Sequence, residues 1–156
     1  MIRSVVLAAA LIGSAANASQ SCFARAYSDS HMARNPNQTV EVMWIAFQGD
    51  ANNARHVGDW ADTTVQLKGE GGAFFERLFC DGANGSKVTC RVECDGGSFT
   101  VAWRNSDTIL VTTGRQGFYV TSQCEGAVNR VVKDRGAAST TYRLNRVSVE
   151  ACPKRQ

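Results

Sequence analysis

The sequence predicts an all-β fold: an antiparallel meander of about eight short strands, closed as a small barrel or folded as a sandwich, disulfide-stapled and preceded by a short N-terminal helix. Three observations carry this reading. Apolar and polar residues alternate with a period of two in several short segments, as half-buried strands require. Clusters of Gly, Asn and Asp separate those segments at regular intervals. Six cysteines occur in only 156 residues. That length accommodates one domain and excludes a TIM barrel or a dinucleotide fold with a separate substrate domain. A hydrophobic content of 44% with 20% charged residues excludes wholesale disorder.

Residues 1–18 read as a cleaved signal peptide, leaving 19–156 as a single disulfide-stapled β domain. Arg3 gives a positive start, Val5 to Ile12 an apolar run of eight, and Ala16-Asn17-Ala18 a small-x-small cleavage pattern. A run this short does not span a bilayer, which needs about 20 apolar residues. The expected product is periplasmic or secreted and not membrane-spanning. Residues 115–156 hold 8 positive and 3 negative side chains. Lys and Arg commonly protect strand edges, and a solvated edge is the simpler reading of this excess than a patch for an anionic partner. Nucleic acid is not an expected partner, because the modest net charge and scattered aromatics build no basic groove.

The elements follow in order. Residues 22–35 suit a short helix or two, stopped by Asn35-Pro36. Thr39 to Phe47 is apolar on both faces apart from Glu41 and reads as a central strand. Residues 49–62 form a polar, Asn-rich connection. Alternation resumes at Val65 and Leu67, and Gly69-Glu70-Gly71-Gly72 turns the chain. Residues 74–80, 87–94 and 98–104 are strands, parted by Asn84-Gly85 and by Asp95-Gly96-Gly97. Residues 108–113 and 117–122 are two more, split by Gly114-Arg115-Gln116. The last strand, 140–149, shifts its inward phase between Leu144 and Val147, which predicts a bulge near Asn145.

Cysteine arithmetic adds long-range constraints. In an exported chain an even count reads as three disulfides. Cys90 and Cys94 cannot pair, since four residues along a strand span about 13 Å and a disulfide bridges at most about 7 Å between Cα atoms. A hairpin at Asn84-Gly85 sets Cys80 opposite Cys90. The expected pairs are therefore Cys80–Cys90, Cys94–Cys124 and Cys22–Cys152, which would leave no thiol as a nucleophile. A zinc site of Cys80, Cys90, Cys94 and Cys124 is disfavoured because only one Cys-x-x-x-Cys spacing is present.

No catalytic set assembles in the sequence. His31 and His56 lack metal-ligand spacing, and there is neither a Gly-x-Ser-x-Gly elbow nor a phosphate loop before a helix. Asp95-Gly96-Gly97-Ser98 lacks the acidic ladder of a calcium loop. Glu76 and Glu93 make only a weak carboxylate pair on a solvent face. The most suggestive segment is 49–62, long for a strand connection. It brings together Arg55, His56, Asp59 and Trp60, a combination suited to holding a sugar or a protein.

Two resemblances bear on function. Cys22-Phe23-Ala24-Arg25 with His31-Met32-Ala33-Arg34, then Cys90-x-x-x-Cys94-Asp95-Gly96-Gly97-Ser98-Phe99 and Tyr142-Arg143-Leu144-Asn145-Arg146 before Ala151-Cys152, resembles a group of uncharacterised small exported Cys-rich bacterial proteins. That likeness implies no activity. Cys94 to Val101 followed by Asn105 is similar to the opening strands of the periplasmic C-type lysozyme inhibitors, small β-barrels that block their target with a Ser-Gly-rich loop ending in Tyr. Here Gly136 to Tyr142 lacks the inner Gly, so Ser139 and Tyr142 are not assigned that role. The sequence thus predicts a non-catalytic envelope protein that binds a protein or glycan partner, with no cofactor and no metal. A lysozyme-inhibitor-like protein is one alternative. The other is a small cell-wall hydrolase using His56 and Asp59 as acid and base.

Overall fold

A computed structural model describes residues 20–154 except 55–56, 85, 94–95 and 121–129 (for 82–84, the backbone only). Its elements are β1 (Ser21–Ala26), α1 (Asp29–Arg34), β2 (Val40–Phe47), β3 (Trp60–Leu67), β4 (Ala73–Asn84), β5 (Lys87–Val92), β6 (Gly97–Asn105), β7 (Thr108–Val120), β8 (Arg130–Val132) and β9 (Thr141–Val147), then a 3-10 turn at Val149–Ala151. Consecutive strands pair antiparallel from β1 to β7, β7 pairs with β9, and β9 pairs with β1. Eight strands therefore close a barrel, of the two closures that the sequence left open. Closure leaves no long unpaired edge in the ring.

Alternation fills the barrel. Phe23 of β1 and Met43, Ile45 and Phe47 of β2 point inward and are almost wholly buried, as are Val65, Leu78, Val101, Val111 and Leu144 around the ring. Outward positions are polar or half-buried on most walls. On β5, β6, β7 and β9 the register aligns Thr89, Thr100, Thr112 and Thr141 in one outer row, and the Thr112 and Thr141 hydroxyls lie 3.0 Å apart.

Several boundaries differ from the sequence reading, each for a tertiary reason. Within the span read as helical, Ser21–Ala26 is a strand and only Asp29–Arg34 is helical. Phe23 fits the barrel interior only in the strand, which pairs with both β2 and β9, and that burial outweighs local helix preference. Ser28 caps α1, accepting from the His31 N–H at 3.3 Å. Strand β3 begins at Trp60, inside the segment read as a connection. Strand β7 runs unbroken through Gly114-Arg115-Gln116. Its register jumps there, with Phe99 opposite Thr113 and Gly97 opposite Phe118, and Gly117 supplies the positive φ of 77° that such a bulge needs. The continuation pairs with the short β8, and this hairpin buries Phe118, Val120 and Val132 over the α1 end of the barrel. The expected bulge at Asn145 is absent, because β9 pairs without a register shift. The apparent phase change arises because the strand ends at Val147 and Val149 belongs to the 3-10 turn.

Two disulfides join described residues. Cys80 and Cys90 face each other across β4 and β5 with Cα atoms 4.0 Å apart. Cys22–Cys152 links residues 130 apart in sequence and lays the 3-10 turn and Pro153 against the outside of β1, β2 and β3. The predicted Cys94–Cys124 pair lies outside the described residues.

Candidate functional site

The described residues of the connection 49–59 mainly plug the barrel. Ala51, Ala54 and Val57 are buried in the core. The Ala51 carbonyl accepts from Trp103 Nε1 at 2.8 Å and from an Arg146 guanidinium nitrogen at 3.0 Å, while its N–H donates to Ser21 Oγ at 2.9 Å. Buried polar groups must be paired in this way, so these bonds fix the segment in place. Of the four residues singled out in the sequence, Arg55 and His56 lie outside the described residues. Asp59 is exposed, and its carbonyl accepts from the Cys80 N–H at 2.9 Å. Trp60 begins β3 with its side chain on the outer wall, 37% exposed.

That wall carries the candidate site. Successive side chains alternate across a strand, so on β3 Ala61, Thr63 and Val65 fill the barrel while Trp60, Asp62 and Thr64 face out. On β4 Phe75, Arg77, Phe79 and Asp81 take the same outward phase. The register sets Trp60 opposite Phe79, Asp62 opposite Arg77 and Thr64 opposite Phe75. The Trp60 and Phe79 rings meet edge to face at 5.3 Å and 71°. Phe79 is 39% and Phe75 40% exposed. Three of the four exposed large hydrophobic side chains among the described residues therefore share one pair of strands; the fourth is Val131. Trp60 and Phe79 touch, and Phe75 stands two outward positions along β4, beyond the Asp62–Arg77 pair; scattered single apolar residues need no explanation, whereas three on one wall do.

Two ion pairs frame the rings. Arg77 Nε lies 3.3 Å from Asp62 Oδ1. Arg91, opposite Phe79 on β5, grips both carboxylate oxygens of Asp81 at 2.7–2.9 Å. Exposed pairs of this kind contribute at most about 1 kcal/mol to stability. Their larger effect is to hold two guanidinium groups in fixed positions beside the rings.

Sequence reasoning reached Trp60 but missed Phe75, Phe79, Arg77 and Arg91. The signal was present in Phe74-Phe75-Glu76-Arg77-Leu78-Phe79, where the core phase is Phe74 and Leu78, which puts Phe75 and Phe79 outside with Arg77. Glu76 falls opposite Thr63, half-buried, and Glu93 is exposed past β5. His31 Nε2 lies 2.9 Å from Gln38 Oε1, and the His31 ring packs on Tyr27. Tyr142 is buried, its hydroxyl donating to Asp134 at 3.2 Å, and presents nothing at the surface. Among the described residues no His, Cys, Asp and Glu side chains group to hold a metal ion, and no helix is long and apolar enough to cross a membrane. Comparison with family models, with curated proteins and with solved structures gives no match to this chain, so the functional reading rests on its own geometry.

Proposed function

We propose that this chain is a non-catalytic exported protein that binds a protein partner on the outer wall of β3 and β4. The observation that carries the reading is the clustering of Trp60, Phe75 and Phe79 beside Arg77 and Arg91, since Trp and Arg with neighbouring aromatics are the residues that dominate protein interfaces. Export is supported by the apolar leader at the N-terminus and by the two disulfides, which persist in oxidising compartments. A protein partner fits better than a glycan. The Trp60 and Phe79 rings stand at 71° to each other and so do not form the single flat ledge on which a sugar stacks.

The test is affinity capture from an envelope extract by the wild-type chain and by a Trp60→Ala/Phe79→Ala variant. Interface aromatics of this kind each contribute about 2 kcal/mol or more, so the doubly truncated wall should retain about a thousandth of the wild-type affinity for any captured protein. A Thr112→Ala variant on the opposite wall should capture normally. Equal capture by all three proteins would refute the assignment.

A further inference from the structure

We propose that the partner on the β3–β4 wall is a second copy of this chain, related by a two-fold axis that runs between β3 and β4, parallel to the strands. The inference rests on the reading of that wall as the binding surface and names what binds there. The register makes the wall its own complement. An axis in that place lays β3 of one copy over β4 of the other and gives an isologous pair. Each cross-strand pair is then repeated across the interface: Trp60 faces Phe79, Asp62 faces Arg77 and Thr64 faces Phe75 of the other copy. Aromatic rings meet aromatic rings, which associate edge to face or offset, and each carboxylate meets a guanidinium.

The flanking residues match as well, because the same axis exchanges the β2 side of the wall for the β5 side. On the β2 side the tail passes Ala46 and Asp62 and brings Lys154 there. On the β5 side Glu93 neighbours Arg77, its N–H donating to the Arg77 carbonyl at 3.3 Å. Lys154 of one copy therefore comes to Glu93 of the other. Both are exposed, and none of the four ion pairs among the described residues uses either. One row along, Gln48, whose N–H donates to the Trp60 carbonyl at 3.4 Å, comes to Arg91, the neighbour of Phe79 on β5. Of the other charges near the wall, Asp81 stays with Arg91 and Glu76 takes the inward phase, half-buried. Asp59 and Lys87 lie at the Asp81 end, and Lys68 and Glu70 lie past the Phe75 end. The wall thus sets Arg77, Arg91 and Lys154 against Asp62, Asp81 and Glu93, interleaved and equal in number. Such a balance gives no net field to steer a strongly acidic or basic protein, but it satisfies a copy of itself.

The experiment is sedimentation velocity of the disulfide-bonded chain from about 1 to 100 μM, with Asp62→Arg and Arg77→Asp variants run separately and mixed. The wild type should sediment as a dimer that dissociates on dilution. Each variant alone sets like charges against each other at both crossings of the axis, so its self-association should weaken by about 100-fold or more. The equimolar mixture should dimerise again, because opposite charges then meet at both crossings between the two different chains. Removing one exposed ion pair costs the fold little, and recovery in the mixture shows that both variants are folded. Trp60→Ala/Phe79→Ala should also be monomeric. A wild type that stays monomeric at about 100 μM would overturn the proposal, as would a dimer that survives either charge reversal or a mixture that fails to recover. If a different protein crosslinks at position 79 while the chain itself stays monomeric, self-pairing is refuted and the wall's role in binding stands.

Discussion

Breaking the Cys22–Cys152 link tests how the ends of the chain are held. The bond closes a loop of 130 residues. In the chain-entropy treatment such a closure removes about 17 cal/mol/K from the unfolded ensemble, or about 5 kcal/mol at 25 °C. That is a large fraction of the 5–15 kcal/mol typical of a whole domain (roughly). The folded state should change little, because among the described residues no hydrogen bond joins Ser148–Lys154 to the barrel apart from the turn's own bonds from Ala151 and Cys152. A Cys22→Ala/Cys152→Ala variant should therefore keep its barrel and lose about 4–5 kcal/mol. At about 3 °C per kcal/mol for a chain of this size, its melting temperature should fall by about 15 °C. Urea unfolding followed by tryptophan fluorescence, with Cys80–Cys90 intact, reads the loss directly. Truncation after Ala151 should cost the same amount. A loss below about 1 kcal/mol in the double variant would refute the entropic argument, and a much larger loss on truncation would show that the tail is held by packing.

Other perturbations have equally definite outcomes. Arg146 stacks its guanidinium 4.7 Å from the centre of the Phe23 ring and donates to the carbonyls of Ser106 and Ala51 and to Asn52 Oδ1. It ties three segments at the plugged end, so Arg146→Met should destabilise by about 2–3 kcal/mol in urea unfolding. Gly117 has φ of 77°, and a Cβ there would meet the Val132 carbonyl oxygen at 2.9 Å, so Gly117→Ala should cost more than about 1 kcal/mol and loosen β8 in hydrogen exchange. Burial first, and then the Asp134 carboxylate beside it, hold the Tyr142 hydroxyl well above its ordinary value of 10.0, partly offset by hydrogen bonds with Thr39 and Thr140. The folded group keeps its proton where the unfolded one loses it. Stability is therefore intact below pH 10 and falls as pH rises beyond it, by up to about 1.4 kcal/mol per pH unit. Tyr27 is shifted the same way, chiefly by burial. Alkaline denaturation of Tyr142→Phe should show a shallower fall, and an unchanged slope would contradict the assignment.

Most of the barrel was legible because alternation and turn chemistry are local signals. Lys87 to Val92 announces a strand through side-chain period alone, and Asn84-Gly85 predicts which cysteines meet across β4 and β5. What was not legible depends on partners distant in sequence. Ser21–Ala26 becomes a strand because β9, more than a hundred residues away, supplies its second neighbour. Gly114-Arg115-Gln116 looks like a break, yet the pairing of β7 with β6 and then β8 carries the strand through. The site was half visible. Trp60 stood out by residue type, but its neighbours Phe79 and Phe75 become a surface only when the β3–β4 register is known.

The claim on which the functional account stands is that the outer wall of β3 and β4 is where a partner sits. A photo-crosslinking amino acid in place of Phe79, compared with one in place of Thr112 on the far side of the barrel, tests it within the intact cell envelope. A discrete protein adduct from position 79, with none from position 112, is the predicted outcome. Identical adducts from both positions, or none from 79 under conditions where the chain accumulates normally, would contradict it.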